Sequence, residues 1–299
     1  MPNVYLSPHS LPCKEEQPIR AKEQAVLLAR PTHYDVIYEI NPHMEGNIGN
    51  VDTTAAMKQW KELKKTYIDL DYNVHILEGV MGLPDMVFCA NQTFPFIDTE
   101  GKANVILSKM ASSYRSGEVP YFAKWYEKQG YHVIYQVHPP VEFEGMGDAI
   151  WHPGYKLLYI GYGFRTSQKA LQRAANCIGC NVIGLQLTQP HFYHLDTALS
   201  VIDQNTALYV EEAFTAEGIG ILKNMFQRLI RVPLQEAKFG FVTNGHSPDG
   251  KHFIVHKGNS ITKKSLESIG ITVIELDTSE FMKSGGSVFC MKMMLPMIS

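Results

Sequence analysis

Three short polar groups interrupt apolar stretches of this chain. They are Phe143-Glu144-Gly145-Met146-Gly147-Asp148, Phe192-Tyr193-His194-Leu195-Asp196-Thr197 and, near the C-terminus, Lys283-Ser284-Gly285-Gly286-Ser287-Val288-Phe289-Cys290-Met291. A cysteine, a histidine and several carboxylates are the parts of a thiol nucleophile that acts on a cationic substrate. Read singly, each group has an ordinary explanation. A free cysteine usually packs as a small hydrophobe, and Asp beside Gly usually marks a surface turn. His-x-Asp fits a solvent-facing strand alternation. The three together outweigh these readings. The Gly285-Gly286 pair can offer the Cys290 thiol at the mouth of the apolar strand that follows, because glycine takes conformations closed to other residues.

The placement of the other candidates follows from spacing. His194 and Asp196, two residues apart, share one face if the segment is extended, so the histidine can move a proton while the carboxylate grips a cation. Glu144 and Asp148 bracket Gly145-Met146-Gly147 on what reads as a loop and can converge on one point. Asn91 ends the apolar run 86–90, where an amide is also a common turn residue. Arg165 follows Tyr159-Ile160-Gly161-Tyr162-Gly163-Phe164 and could clamp a carboxylate with its planar fork; Arg115 is a weaker candidate of the same kind, and a surface ion pair explains either. Cys177-Ile178-Gly179-Cys180 has no second pair or nearby histidine to complete a zinc site, so core packing is expected, and no metal or cofactor is implied.

These residues need elements to hold them. Amphipathic spacing predicts helices over residues 54–70, 120–129, 167–177, 217–230 and 261–268; in the first, Trp60, Leu63, Tyr67 and Leu70 fall three or four apart. Between them, β-rich segments cover 33–40, 73–77, 104–107, 132–137, 156–160, 182–187, 207–210, 252–255 and 272–276. The helices recur every 40 to 60 residues, the spacing of an internally repeated architecture. A doubly wound sheet competes, because strands and helices alternate there too. No glycine-rich phosphate loop opens any of the helices. No linker splits the chain, so residues 25–299 read as one catalytic domain and 1–24 as a tail or edge extension.

Composition excludes several classes. The 299 residues carry a net charge of −3 with no basic run, so nucleic acid is not an expected partner. No apolar run approaches the roughly 20 residues of a membrane helix, and the first residues lack a signal-peptide core. Five cysteines, an odd count without framework spacing, fit a reducing cytoplasm. The expected partner is a small molecule, and a homo-oligomer is left open.

Taken in order, these segments resemble the guanidino-group-modifying superfamily: arginine deiminases, dimethylargininases, arginine dihydrolases and amidinotransferases. The resemblance runs from about Tyr34 to Leu295. It is carried by Ile40-Asn41-Pro42-His43-Met44, the run ending at Asn91, Phe143 to Asp148, Gly161 to Thr166, His194 to Asp196, and Glu280-Phe281 through Cys290. The Glu-Gly-x-Gly-Asp loop, and an asparagine where deiminases have a substrate-gripping aspartate, resemble the arginine dihydrolase branch. The resemblance implies a single-domain α/β-propeller of five ββαβ units around a pseudo-fivefold axis. It implies Cys290 as nucleophile, His194 as general acid and base, and Glu144 as a second proton-handling group. Asn91 and Asp196 become guanidinium contacts, Asp148 a further support, Arg165 and Arg115 the clamp for an α-carboxylate, and Asn41 a pocket-lining residue. The implied activity is cysteine-dependent hydrolysis of arginine to ornithine, carbon dioxide and two ammonia, with dimethylargininase, arginine deiminase and amidinotransferase as alternatives. Phe289 and Ser284 depart from the family pattern without removing a reacting group.

Overall fold

The computed structural model describes residues 2–20, 22–135 and 139–296. Its contacts divide into two compact units, one of Met1–Arg20 with Asp148–Asp277, the other of Ala21–Gly147 with Thr278–Ser299. The fold is mixed α/β.

In the first unit, Val4–Tyr5, Asn181–Gln186, Leu157–Tyr162 and Ala149–Trp151 form one sheet in that order. Leu157–Tyr162 and Asn181–Gln186 run parallel, joined by the helix Gln168–Ile178. A parallel pair needs such a crossover, whereas the antiparallel partner Ala149–Trp151 is reached by a short turn. Gly179 ends the helix in the left-handed conformation at φ 72°. The plan recurs in Leu199–Val201, Thr206–Tyr209 and Arg228–Arg231 around the helix Ala216–Met225. It recurs again in His252–His256 and Thr272–Leu276 around Ser260–Glu267, where a single antiparallel bridge from His246 to Ile254 replaces the outer strand. Val4–Tyr5 makes the N-terminal segment an edge strand.

The second unit repeats the plan twice. Met293–Pro296, Glu23–Ala29 and Asn73–Leu77 form a sheet with the crossover helix Thr53–Asp69. Asp52 caps this helix through the Thr54 and Ala55 N–H groups, and Trp60, Leu63 and Tyr67 are its buried stripe. Thr93–Ile97, Ala103–Leu107 and His132–Ile134 form the other, with the helix Val119–Lys128. Among the described residues there are thus five sheets, each with a helix joining two parallel strands, and the first has Val4–Tyr5 as a further parallel strand.

Two expectations need correction, one helix is additional, and one strand is described only in part. Residues 33–40 form no strand; the strand is Glu23–Ala29, whose last four residues are all buried and so show no alternation. The helix expected over 217–230 stops at Met225, where Phe226 turns extended, and Arg228–Arg231 is a strand. Leu234–Gly240 is an additional helix. The strand expected over 132–137 is seen for His132–Ile134, and its end falls outside the described residues. No described helix is long and apolar enough to cross a membrane.

Candidate active-site residues

Cys290 stands in a turn just before Met293–Pro296, not inside a strand as its apolar surroundings suggested. Met291 donates to the Ser287 carbonyl at 3.1 Å and Lys292 to that of Phe289 at 3.3 Å, which closes the turn. The Ser287 hydroxyl is bonded to Thr278 Oγ1 at 2.7 Å. Gly286 lets the chain pass close by: a Cβ there would lie 2.4 Å from the Phe88 ring and 3.1 Å from Cys290 Cβ. Gly286→Ala is therefore expected to shift the nucleophile and lower kcat/KM about a hundredfold, the usual cost of an ångström-scale misplacement. Steady-state kinetics beside a thermal melt check this; wild-type kcat/KM would show that the turn absorbs the methyl group.

The neighbouring backbone is tied to this turn. Ala90 donates its N–H to the Cys290 carbonyl at 3.1 Å and accepts at its own carbonyl from Met146 N–H at 2.7 Å. One residue thus joins the Cys290 turn to the turn that carries Glu144. Gly145–Asp148 is a helical turn rather than an open loop. Gly145 has φ 50°, and a Cβ there would sit 2.3 Å from the Thr93 carbonyl oxygen and 2.9 Å from that of Asn91. Glu144 is fully buried, and its Oε1 accepts from Ala111 N–H at 2.9 Å. Cys290, Asn91 and Glu144 are therefore positioned by one connected piece of backbone.

Arg115 and Asn41 are tied to the same region of the chain. Arg115 is 4% exposed, and its guanidinium is held by the protein. Nε and Nη2 reach the Glu118 carboxylate at 2.9–3.2 Å, Nη2 also meets the Asp85 and Phe88 carbonyls, and Nη1 donates to Asn91 Oδ1 at 2.9 Å. Burial alone would lower its pKa, but Glu118 and Asp85 more than offset this and raise it, so the charge persists. Arg115 is thus paired with Glu118 and braces Asn91 through Nη1. Asn41 is likewise a brace: Oδ1 accepts from His43 N–H at 2.9 Å and Nδ2 donates to the Ser284 carbonyl at 3.0 Å.

In the other unit, His194 is the N-cap of a helical turn, Leu195–Ala198. The strand expected from the His-x-Asp spacing is thus absent, and the two side chains do not owe their placement to strand alternation. Asp148 explains the turn. Its Oδ1 accepts from Leu195 N–H at 3.0 Å and its Oδ2 from Thr166 Oγ1 at 2.7 Å. A carboxylate on a first-turn N–H fixes where the helical turn begins. Asp148 therefore positions the turn that His194 begins. Asn244 Nδ2 donates to the Asp196 carbonyl at 3.1 Å, and Thr197 Oγ1 to that of His194 at 2.7 Å. His194 and Asp196 are buried to 1% and 0% exposure.

Arg165 lies 4.8 Å above the Tyr193 ring, which in turn lies 4.8 Å from the His194 ring. It is 8% exposed, and a planar cation stacked on an aromatic face is preorganised for a bidentate anion. Arg165→Lys is expected to weaken arginine binding about tenfold relative to agmatine, which lacks the α-carboxylate, since lysine offers a point charge without the fork. Calorimetry with both ligands checks it; equal losses would remove Arg165 from carboxylate recognition.

The remaining thiols have structural surroundings. Burial pushes Cys89 up to about 12, with its Sγ facing the Leu27 and Met291 carbonyls, and Cys180 up to about 12. Cys180 packs as expected, whereas Cys177 is exposed on its helix. The sequence reading missed Tyr38, Asp85, Gln92 and Glu118, which surround Arg115. The i,i+3 spacing of Arg115 and Glu118 was the available signal.

One unit holds a thiol in a constrained turn and a buried carboxylate, the other a buried histidine and a stacked arginine, the side-chain types used in nucleophilic attack on a cationic carbon. Comparison with known proteins agrees with that chemistry. Bifunctional arginine dihydrolase/ornithine cyclodeaminase ArgZ of Synechocystis is 32% identical over 272 residues, covering 91% of this chain and 37% of ArgZ. AgrE of Nostoc, of the same description, is 33% identical over 89% of this chain and 37% of its own length. This chain therefore spans little more than a third of those two relatives. The N(G),N(G)-dimethylarginine dimethylaminohydrolase of Mycobacterium tuberculosis is 35% identical over 87% of this chain and 82% of its own. The crystal structure of the ArgZ N-terminal domain, a cysteine-to-serine variant bound to substrate, superimposes with a TM-score of 0.85 at 32% identity, covering 91% of this chain and 97% of that one. The eukaryotic N,N-dimethylarginine dimethylhydrolase family matches residues 39–297, and with relatives of this identity and coverage on both sides, the chain belongs to that family, within the guanidino-group-modifying superfamily.

Proposed function

We propose that this chain is a cysteine-dependent hydrolase of the guanidino group, and specifically an arginine dihydrolase: arginine and two waters give ornithine, carbon dioxide and two ammonia. Cys290 is the nucleophile, His194 the general acid and base, Glu144 the second proton-handling group, Asn91 and Asp196 the contacts to the reacting group with Asp148 in support, Arg165 with Arg115 the α-carboxylate clamp, and Asn41 a pocket-lining residue. The resemblance supports these roles, as do the burial and bracing of each group. The five sheet-and-helix units support a five-bladed α/β-propeller, and the free thiols support a reducing, cytoplasmic setting.

A guanidinium is a poor electrophile because three nitrogens share its charge. Holding it planar to the thiol lowers the entropic part of the barrier. A free thiol ionises near pH 8.5, and both the bound cation and a protonated His194 favour the thiolate. Cys290 Sγ bonds to the central carbon, and the tetrahedral adduct collapses as His194 protonates departing ammonia. Water then adds to the thiouronium with His194 as base, the C–S bond breaks, and citrulline forms. In the second round Cys290 attacks the ureido carbon and the second ammonia departs. Hydrolysis of the resulting thiocarbamate gives a carbamate that loses carbon dioxide.

The observation that carries the two-step reading is the amide at Asn91. An ionised aspartate only accepts hydrogen bonds and would repel the ureido carbonyl of citrulline, whereas an amide can donate to it. The ArgZ relative, described as an arginine dihydrolase, supports the same choice. A second reading, dimethylargininase, is favoured by the matched family and the mycobacterial relative. Product analysis by mass after incubation with arginine and with dimethylarginine separates the two. Ornithine from arginine is the expected result, and dimethylamine with citrulline as end product would replace it with the second reading.

A further inference from the structure

Lys292 stands two residues after Cys290 and has no part in the reaction scheme, yet it is only 1% exposed. Its Nζ lies 3.2 Å from the centroid of the Phe289 ring and donates to Met146 Sδ at 3.6 Å. Both neighbours are buried. A lysine normally keeps its ammonium in water and buries only its stem. Taking the charge out of water is costly, and an apolar residue of similar size in such a place is often neutral or stabilising. Packing alone therefore does not account for a lysine here.

The contacts place the charge at a seam. Lys292 N–H donates to the Phe289 carbonyl at 3.3 Å, and the side chain folds back over the ring of the residue before Cys290. Met146 belongs to the turn Gly145–Asp148, which follows Glu144. Its N–H donates to the Ala90 carbonyl, and Ala90 N–H donates to the Cys290 carbonyl. One ammonium thus bridges, through side chains, the two turns that Ala90 joins through the backbone. The strand Met293–Pro296 begins at the next residue and pairs with Glu23–Ala29, which holds the lysine in register. The ionisable side chains of this region are Cys290, Glu144 and Cys89, with Arg115, paired to Glu118, as a further cation. Lys292 favours the Cys89 thiolate, although burial outweighs it there. Tyr67 and Tyr126 also face Cys89 and stay neutral, because burial pushes their ionisation well up.

We propose that Lys292 is a positioning residue for the nucleophile: its ammonium fixes a positive charge where the Cys290 and Glu144 turns meet and keeps Cys290 reactive as a thiolate before substrate binds. This rests on Cys290 as the proposed nucleophile and deepens that reading. In the scheme above the thiolate is favoured by a bound cation and by protonated His194. Citrulline, the ligand of the second round, is neutral at its ureido group and brings no such charge. A resident ammonium in a poorly solvated setting acts in both rounds.

The test is alkylation of the ligand-free, full-length protein by iodoacetamide across pH, with each cysteine followed by peptide mass. Lys292→Met keeps the length and the contacts to the ring and the thioether but removes the charge. Its Cys290 is expected to react about tenfold more slowly at pH 7, with the midpoint of the pH profile moved up. At alkaline pH the two proteins should react within a few-fold of each other. Exposed Cys13 is the internal reference and should not change. Lys292→Arg should restore the parent profile, because a guanidinium also carries charge onto an aromatic face. With substrates, Lys292→Met should slow citrulline consumption more than arginine consumption, since only arginine supplies a replacement charge. A merely structural role would lower the alkylation rate equally at every pH and leave the midpoint in place, which overturns the proposal, as does an unchanged rate in the folded variant. If Lys292→Met does not fold, Lys292→Gln, uncharged but able to donate, reads the same profile. Alkylation needs no turnover, so its outcome is separate from that of the dihydrolase reading, which product analysis of the parent decides.

Discussion

Replacing Cys290 by serine is expected to lower turnover of arginine at least roughly a thousandfold while leaving its binding within a few-fold of the parent. The residues proposed to hold the ligand explain the split. Arg165 is stacked on Tyr193, Asn91 is braced by Arg115, and Asp196 lies in a turn pinned by Asp148 and Asn244. None of these contacts involves the Cys290 side chain, so exchanging sulfur for oxygen leaves them in place. The chemistry suffers because a serine hydroxyl is far less ionised than a thiol, and the scheme provides its charge stabilisation for a thiolate. The protein should still fold, since serine is slightly smaller than cysteine and the turn is closed by backbone hydrogen bonds. Single-turnover mass spectrometry adds a second readout: the parent should show a covalent adduct on Cys290 and the variant none. Turnover near the parent's rate would remove Cys290 from the mechanism. Turnover and arginine binding lost together would mean that the thiol holds the substrate as well as attacking it.

What the sequence showed, and what it hid, divides along the range of the forces involved. The helix Thr53–Asp69 was legible because Trp60, Leu63 and Tyr67 repeat at helical spacing and bury one face. The strand Asn73–Leu77 was legible from its β-branched and apolar content between turn residues. Glu23–Ala29 was not, because a strand buried on both faces has no alternation to read. The order of the motifs singled out Cys290 and His194, but the local geometry of both segments differs from the strands that their spacing suggested. His194 begins a helical turn because the Asp148 carboxylate, 47 residues away, accepts from the first-turn N–H. Cys290 sits in a turn because Ala90 and Thr278 hold it there. No local pattern encodes such long-range bonds. Arg115 shows the same limit for charge: an arginine beside Ser and Gly reads as exposed, and only the fold brings Glu118, Asp85 and Asn91 around it.

Asn91→Asp is expected to turn the enzyme toward a deiminase. One oxygen of the new carboxylate would take the place of Oδ1 and accept from Arg115 Nη1, turning a neutral contact at 2.9 Å into an ion pair. The other oxygen would replace Nδ2, so a donor facing the substrate becomes an acceptor. Arginine should gain from this, because a guanidinium offers only donors. Citrulline should lose twice: its ureido oxygen forfeits the amide hydrogen bond and meets a partial negative charge. One buried hydrogen bond of this kind is worth on the order of 1–3 kcal/mol, so the second step should slow roughly ten- to a hundredfold relative to the first. Citrulline then accumulates, and ammonia released per arginine falls from about two toward one, as sequential hydrolysis at one thiol requires. The neighbourhood limits the change, because Arg115 already faces Glu118 and a second carboxylate beside it leaves the cluster one charge more negative. That added charge favours cationic ligands as well, so both effects push the partition the same way. The measurement is a time course of ornithine, citrulline and ammonia for parent and variant under identical conditions. An Asn91→Asp enzyme that still delivers ornithine as fast as it consumes arginine would mean that the ureido group is held elsewhere, and that Asn91 does not decide where the reaction stops.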